Sequence, residues 1–186
     1  KVAELAAGSG YTTELLARTV GSTGKVWGQN GQAFAKFIEP AWTERLKKPA
    51  MQNVVRVDRE LDDPLPPEAK DLDAVFLVLL YHDAVWLKVD RDKMNRAVFA
   101  ALKPGGVYVI VDHSARPGTG TNDVQSLHRI EAKIVEEEVP RAGFKRGAEG
   151  HFLENPSDPR DWSTSPGAAG EKRGTSDRFV LTFVKP

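Results

Sequence analysis

The sequence has no cysteine, which excludes disulfide-stabilised scaffolds, thiolate metal centres and cysteine nucleophiles. It also lacks an excess of charge, because 26 lysine and arginine residues balance 26 aspartate and glutamate residues. A neutral chain has no basic footprint for a nucleic acid, so we expect no nucleic-acid partner. The longest apolar run, Ala74 to Tyr81, is far shorter than the ~20 residues of a membrane span. We therefore expect no membrane partner either.

The chain of 186 residues, 40% of them hydrophobic, is long enough for one domain with a substantial core. It opens at Lys1 directly into a strand-like run. We therefore expect a single domain over residues 1–186 that lacks its N-terminal helices. We expect a cytoplasmic location, with a periplasmic one left open because a signal peptide would lie upstream.

Short apolar runs alternate with helical patterns, which is typical of βα repeats and a mostly parallel sheet. The pattern predicts strands over residues 2–7, 25–28, 53–58, 72–80, 107–111, 144–152 and 178–184. It predicts helices over residues 12–20, 32–47, 92–102 and 123–142, with a kink or an end at Pro40. Residues 155–176 form a long loop without a pattern, and such loops are usually functional or mobile.

The strongest motif runs from Glu4 to Gly10, where a strand ends in a turn of small residues and a helix begins. Glycines let a ligand approach the backbone, and a helix N-terminus suits a carboxylate or a phosphate. Glu4 stands at the carboxyl end of its strand, where it can hold an ammonium group. Ligands of open α/β sheets bind at such edges.

Other interpretations of this motif have weaker support. A dinucleotide site needs a third glycine where Thr13 stands, and an acid where the second strand ends in Gln29-Asn30. No tyrosine is followed four residues later by lysine, as a short-chain dehydrogenase requires, and the Gly-Lys-Ser/Thr of a P-loop is absent. A tight turn without a ligand remains the simplest alternative.

The run from Val2 to Thr13 resembles motif I of the class I S-adenosylmethionine-dependent methyltransferases. The run from Ala101 to Asp112, with its Lys-Pro-Gly-Gly turn, resembles the post-motif region and fifth strand of that family, and residues 72–83 resemble its fourth strand and following loop. The motifs stand in family order across the chain. The runs 112–114, 127–130 and 174–179 resemble a bacterial subgroup of predicted small-molecule methyltransferases.

The resemblance implies an α/β, Rossmann-like methyltransferase fold: a seven-stranded, mostly parallel sheet of order 3-2-1-4-5-7-6, with an antiparallel last strand and helices on both faces. It implies S-adenosylmethionine as the cofactor. The cofactor-binding residues would be Glu4, Ala6, Gly8, Gly10, Tyr11, Asn30, Asp58, Arg59, Leu80 and Tyr81. Asn30 stands where the family has an acid for the ribose hydroxyls, so we expect cofactor binding to be weaker by roughly 1–2 kcal/mol.

The reacting groups are expected after the fourth and fifth strands, where His82, Asp83, Asp112 and His113 stand. An acceptor hydroxyl or a protonated amine needs a base, and histidine titrates in the right range. We predict His113 or His82 as the base, with Asp112 orienting it. Residues predicted to contact the substrate are Asp83, His128, Arg129, Trp162 and Arg173.

A metal site formed by His82, Asp83, Asp112 and His113 is an alternative, because two imidazoles and two carboxylates are adequate ligands. Nothing in their spacing fixes a coordination geometry, so no metal is predicted.

The leading hypothesis is a methyltransferase that transfers a methyl group from S-adenosylmethionine to the oxygen or nitrogen of a small molecule. A catalytically silent binding module with the same fold is the alternative, and an NAD(P)-dependent oxidoreductase is a weaker one. The sequence leaves open the acceptor and the oligomeric state, a homodimer included.

Overall fold

The computed structural model describes the backbone of residues 1–186 and the side chains of residues 1–32 and 36–186. The strands are β1 (Val2–Leu5), β2 (Val26–Asn30), β3 (Val54–Asp58), β4 (Leu72–Val78), β5 (Leu102–His113), β6 (Lys145–Gly150) and β7 (Arg178–Val184). The helices are α1 (Tyr11–Val20), α2 (Gln32–Leu46), α3 (Tyr81–Trp86), α4 (Arg91–Ala101) and α5 (Ala132–Glu138). Short 3-10 turns lie at Pro49–Met51, Val139–Ala142 and Gly170–Lys172.

The described strands form one sheet of seven in the order β3-β2-β1-β4-β5-β7-β6, which confirms the predicted fold. The five strands from β3 to β5 in this order run parallel to one another. Val2 of β1 lies beside Val26 of β2 on one side and Ala74 of β4 on the other. β7 pairs antiparallel with both β5 and β6. Because parallel strands end at one edge, the loops after β1, β2, β4 and β5 meet there.

The strands at the centre of the sheet carry most of the core, although β4 alternates buried and half-buried residues and its Asp73 is exposed. Every residue of β1 is buried, and Leu5, Val75, Leu77 and Ile110 contribute to the main core. A smaller core forms around Trp42, which anchors α2 against the first two strands. In the part of the chain that the structure describes, no helix is long and apolar enough to cross a membrane.

The helix predicted over residues 123–142 is wrong for most of its length. Only Ala132–Glu138 is α-helical, and residues 120–127 form consecutive turns. His128 adopts a left-handed backbone conformation, with φ of 52°, that no right-handed helix accommodates. The side chains of this segment are instead held by partners distant in the sequence.

Three other local predictions differ from the structure. The turn at residues 103–106 is an insertion within β5, because Leu72 pairs with Leu102 while Ala74 pairs with Val107. The residues after β4, expected to be a loop, form α3. Of the two outcomes expected at Pro40, a kink or an end, the end does not occur, because α2 continues through Pro40, which removes one backbone hydrogen-bond donor.

Candidate functional site

The loop between β1 and α1 has three residues in the left-handed region: Ala6, Gly8 and Gly10, with φ of 51°, 57° and 80°. The two glycines are required for different reasons. A Cβ on Gly8 would meet no atom within 4 Å, whereas a Cβ on Gly10 would lie 2.1 Å from the ring of Trp42. Gly8 therefore faces open space, and Gly10 lets α2 pack closely against the loop.

Two side chains at the end of β2 hold this loop in place. The amide of Asn30 accepts the N–H of Gly8 at 2.8 Å and donates to the carbonyl of Gly8 at 3.1 Å. Gln29 accepts the N–H of Ala6 at 2.9 Å. An aspartate at position 30 could not donate to the Gly8 carbonyl, because a carboxylate is only an acceptor. The amide of Asn30 supports the loop, which explains why an asparagine stands at this position instead of the acid that the resemblance implies.

A cavity of about 530 Å³ lies against this loop at the carboxyl edge of the sheet. Its volume falls within the range of about 300–1,000 Å³ that is usual for small-molecule sites. The cavity is lined by Ala6, Gly8, Asn30, Gly31, Ile38, Glu60, Leu61, Asp62, Leu80, Leu87, Lys88, Val89 and Asp90. A larger hollow of about 810 Å³, beside Gly21 and Asn53, lies away from the loop at the opposite edge.

Of the predicted cofactor residues, Ala6, Gly8, Asn30 and Leu80 line the cavity of about 530 Å³. Those that lie outside its lining are Glu4, Gly10, Tyr11, Asp58, Arg59 and Tyr81. Tyr81 is fully buried, and its hydroxyl donates to Glu138 at 2.8 Å, so it belongs to the core.

Two features of this cavity differ from the prediction: the carboxylate that lines it and the residues that form its far wall. Asp58 pairs with Arg56 at 2.8 Å, whereas Glu60, two residues later, lines the cavity. Sequence reasoning missed the wall formed by residues 87–90, which follows the unpredicted helix α3. No motif in that stretch signals a ligand.

Glu4 is buried beneath the first turn of α1, where its carboxyl group accepts a hydrogen bond from the hydroxyl of Thr13. Burial raises the pKa of Glu4 to about 7, although the hydrogen bonds from Thr13 and Thr12 oppose that rise. With this pKa, about half of the Glu4 carboxyl groups are protonated near pH 7, which makes Glu4 a weak partner for an ammonium group. Its position favours a role in fixing α1 against the loop.

The raised pKa of Glu4 predicts a pH-dependent stability. Because the folded pKa lies above the ordinary value of 4.5, ionisation of Glu4 is penalised in the folded state and stability is lost as the pH rises toward 7. Glu4→Gln should remove a loss of about 3 kcal/mol in unfolding free energy between about pH 4 and about pH 8. Urea denaturation across that range measures the loss. If the unfolding free energy of Glu4→Gln falls with rising pH as steeply as that of the unaltered protein, the pH dependence does not come from Glu4.

A second cavity, of about 340 Å³, lies on the other side of the β4 terminus. Leu79 lines this cavity while Leu80 lines the first, so adjacent residues face different spaces. The second cavity is lined by Leu79, His82, Asp83, His113, His128, Trp162, Thr164, Ser165, Pro166, Ala169, Arg173, Gly174, Ser176 and Arg178. Three histidines from three segments meet there, and we call this space the histidine cavity.

The two histidines predicted as bases have different environments. Nδ1 of His82 lies 2.7 Å from Oδ1 of Asp112, which is fully buried, so Nε2 of His82 is left to face Asp83. Burial is the largest single influence and lowers the pKa of His82, but the charge and hydrogen bond of Asp112 together with the charge of Asp83 outweigh it, so the pKa is raised. Nδ1 of His113 bonds Ser176 at 2.7 Å, and burial lowers the pKa of His113 to about 4. His113 is therefore neutral near neutral pH.

Asp83 lies between two imidazoles. Its Oδ1 is 3.3 Å from Nε2 of His82 and 3.3 Å from Nδ1 of His128. This oxygen is buried, and no described residue forms a hydrogen bond with it. The ring of Trp86 packs edge-on against His128, with ring centres 5.7 Å apart. His128, predicted only as a substrate contact, thus joins the pair after β4.

The structure places Arg129, predicted to contact the substrate, in the interior, where it is fully buried and lines neither cavity. Its guanidinium donates to both carboxylate oxygens of Asp158, at 2.9 and 3.3 Å. It also donates to the carbonyls of Ser114 and Trp162. Arg129 therefore ties the long loop to the end of β5. Trp162 and Arg173 lie on that loop and line the histidine cavity.

No family model matches this sequence. Among solved structures, a SAM-dependent methyltransferase from Aquifex aeolicus is similar over 100% of this chain and 81% of its own, with a TM-score of 0.69 and 18% identity. The glycopeptide N-methyltransferase MtfA, complexed with S-adenosyl-L-homocysteine, is similar over 100% and 81%, with a TM-score of 0.66 and 17% identity. The chain therefore has the fold of the class I S-adenosylmethionine-dependent methyltransferases.

The same fold also supports other chemistry. The [4+2]-cyclase SpnF is similar over 100% of this chain and 75% of its own, with a TM-score of 0.63 and 18% identity. The fold defines the class of scaffold, while the reaction has to be argued from the site.

Proposed function

We propose that this protein is an S-adenosylmethionine-dependent methyltransferase acting on the oxygen or nitrogen of a small molecule. One observation carries the proposal: the cavity beside the motif I loop and the histidine cavity are lined by adjacent residues, Leu80 and Leu79. A donor site and an acceptor site must adjoin in this way, because direct methyl transfer requires the nucleophile to be aligned with the methyl group.

The residues beside the motif I loop fit the proposed cofactor. Gly8 leaves the backbone open to a ligand, and the N-terminal end of α1 carries the partial positive charge that favours a carboxylate. Leu61, Leu80 and Leu87 supply apolar walls suited to a nucleoside base. When bound, S-adenosylmethionine supplies an electrophilic methyl group on its sulfonium sulfur.

Glu60 takes the part of the acid that is missing from the end of β2. One of its carboxylate oxygens accepts the backbone N–H of Gln32 at 3.1 Å, which leaves the other oxygen for a ribose hydroxyl. Asn30 then acts as a positioning residue, since its amide already supports Gly8. This division of roles removes the weakened cofactor binding expected from Asn30 alone.

The acceptor would occupy the histidine cavity. Asp112 orients His82, while Trp162 and the rest of the long loop cover the space and limit the access of water. The role of His82 or His113 as the proton acceptor stays a prediction. Of the two, His82 has the orienting carboxylate.

Calorimetric titration with S-adenosylhomocysteine tests the donor site. Glu60→Gln should weaken binding by about tenfold, because a charge-assisted hydrogen bond contributes roughly 1.5 kcal/mol or more. Asp58→Asn is the matched control: it removes a carboxylate outside the cavity and should leave the affinity unchanged. Absence of binding to the unaltered protein would contradict the proposed function. Equal effects of the two variants would contradict the role of Glu60.

Methyl transfer needs a separate measurement, because the SpnF likeness shows that the fold alone does not establish it. A panel of phenol, amine and carboxylate acceptors, with S-adenosylhomocysteine release as the readout, addresses it. Binding without release across the panel would favour the catalytically silent alternative.

A further inference from the structure

We propose that His82, Asp83 and His128 form a binding site for one divalent transition-metal ion, with Nε2, Oδ1 and Nδ1 as the ligand atoms. Each residue offers one ligand atom, and the three atoms lie within 4.8 Å of one another. Neutral imidazole nitrogen and carboxylate oxygen are the ligands that zinc, iron(II) and similar ions accept together. This site goes beyond the proposed function and does not depend on cofactor binding. An ion bound there occupies Nε2 of His82, so it would take the place of His82 as the predicted proton acceptor.

Two of the three separations between the ligand atoms fit an ion better than they fit hydrogen bonds. Oδ1 of Asp83 is 3.3 Å from each imidazole nitrogen. A tetrahedral ion with ligands at about 2.0–2.1 Å separates those ligands by about 3.3–3.4 Å. Hydrogen bonds from a ring N–H to oxygen are usually about 2.9 Å long.

The carboxylate oxygen in the middle of the cluster lies near two imidazoles but has no hydrogen-bond partner. Oδ1 of Asp83 is buried and has no hydrogen-bond partner among the described residues. Buried polar atoms without a partner are rare and call for a physical explanation. A cation between Asp83, His82 and His128 would provide it.

Asp112 supplies the outer partner that such a site needs. Its Oδ1 lies 2.7 Å from Nδ1 of His82, and its Oδ2 accepts the backbone N–H of His82 at 2.8 Å. A metal-bound histidine almost always donates its other ring N–H to a carboxylate or carbonyl, which fixes the ring and its tautomer. Asp112 thereby fixes the ring with Nε2 toward Asp83, so Nε2 is the ligand atom of the neutral ring, and an ion bound there would displace the proton of the imidazolium form.

His128 has a strained backbone conformation that directs its side chain to the cluster. Its φ of 52° lies in the left-handed region, where non-glycine residues are uncommon. Such strained positions persist where the surroundings determine them, and they concentrate at functional sites. The next residue, Arg129, is fixed by its buried pair with Asp158, so His128 has little freedom to turn away.

The site has an open side. His82 is buried, but Asp83 and His128 retain 17% and 21% side-chain exposure and face the histidine cavity of about 340 Å³. Three protein ligands with one open position are typical of catalytic zinc sites. An acceptor oxygen or nitrogen entering that cavity would find the open position, where a bound hydroxyl loses its proton more readily.

A second cluster of similar composition serves as the control. Glu149, His151 and Glu154 also offer three ligand atoms within 4.8 Å, but all three residues are exposed. Nδ1 of His151 already bonds Glu154 at 2.6 Å. All three of these residues are exposed and none of their ligand atoms is buried without a partner, so we expect this cluster to retain no metal.

The experiment loads the 186-residue chain with Zn²⁺, removes unbound metal by gel filtration and measures the zinc content by mass spectrometry. We expect about one ion per chain in the unaltered protein, and a tenth of that or less in Asp83→Asn and His128→Ala. His151→Ala should retain the full content. Circular dichroism of each sample restricts the comparison to folded protein. Asp83→Asn preserves the volume at the site and decides the outcome if His128→Ala does not fold.

The proposal is overturned if the unaltered protein retains no more zinc than Asp83→Asn, or if His151→Ala loses as much zinc as the other variants. Loading with Co²⁺ adds a spectroscopic readout, since nitrogen and oxygen ligands give visible absorption that Asp83→Asn should abolish. No methyl donor is present, so failure here leaves the proposed function standing. Conversely, a failed titration with S-adenosylhomocysteine leaves the metal site standing.

Discussion

Replacing Gly8 with leucine is expected to weaken S-adenosylhomocysteine binding by at least about 100-fold, which corresponds to roughly 2.7 kcal/mol. Gly8 lines the cavity beside the motif I loop, and a Cβ there meets no atom within 4 Å. A leucine side chain would extend into that open space and occupy volume that the ligand needs. Calorimetric titration of the folded variant measures the loss.

The effect of bulk in the cavity has to be separated from backbone strain. Leucine at position 8 also adopts φ of +57°, and a left-handed conformation costs a residue with a side chain roughly 1–2 kcal/mol. Gly118 is the matched control, because its φ is +82° and a Cβ there also meets no atom within 4 Å. Gly118 lies in a surface turn outside the cavity, so Gly118→Leu should lose stability but not affinity. Equal affinities in the two variants would contradict the assignment of this cavity to the cofactor.

The fold could be predicted from the sequence because its signals are local and ordered along the chain. The motif from Glu4 to Gly10 marks the first crossover, and the apolar run of β4 marks a strand in the middle of the sheet. Once these positions match a family in order and spacing, the strand order follows. The structure bears this out with the sheet order β3-β2-β1-β4-β5-β7-β6.

The candidate site was harder to predict from the sequence, because it depends on contacts between residues that are distant in the sequence. The pairing of Asn30 with Gly8 spans 22 residues, and nothing near either residue indicates that the amide would face the loop rather than a ribose. His128 reaches Asp83 only because the helix expected around it does not form. A propensity argument cannot foresee that outcome, since the determining partner of the neighbouring Arg129 is Asp158, 29 residues away.

The pair of Arg129 and Asp158 gives the second large effect. Both side chains are almost fully buried, at 0% and 1% exposure, and removing one partner of a buried ion pair typically costs about 3–5 kcal/mol. The two losses should be unequal. Asp158 also accepts the backbone N–H groups of Asp177 and Arg160 and the indole N–H of Trp162, so its loss leaves three further donors unsatisfied.

Asp158→Ala is therefore expected to lower the free energy of unfolding by about 3–5 kcal/mol, and Arg129→Met by roughly half as much. Urea denaturation at neutral pH measures both. The exposed pair of Lys47 and Glu44 is the control, since Glu44→Ala should change stability by less than about 1 kcal/mol. Equal losses in the two buried variants would contradict the added contribution of the three N–H groups that Asp158 accepts.

The pH dependence of the same variants follows from the Asp158 carboxylate. Burial alone would raise the pKa of Asp158, but the N–H groups of Asp177 and Arg160 and the guanidinium of Arg129 lower it below its ordinary value. A lowered folded pKa gives stability that is present above the unfolded value and is lost as the pH falls through the folded pKa. The stability difference between the unaltered protein and Asp158→Ala should therefore shrink as the pH falls below about 4. If that difference stays constant in acid, the ionised carboxylate is not what holds the long loop over the histidine cavity.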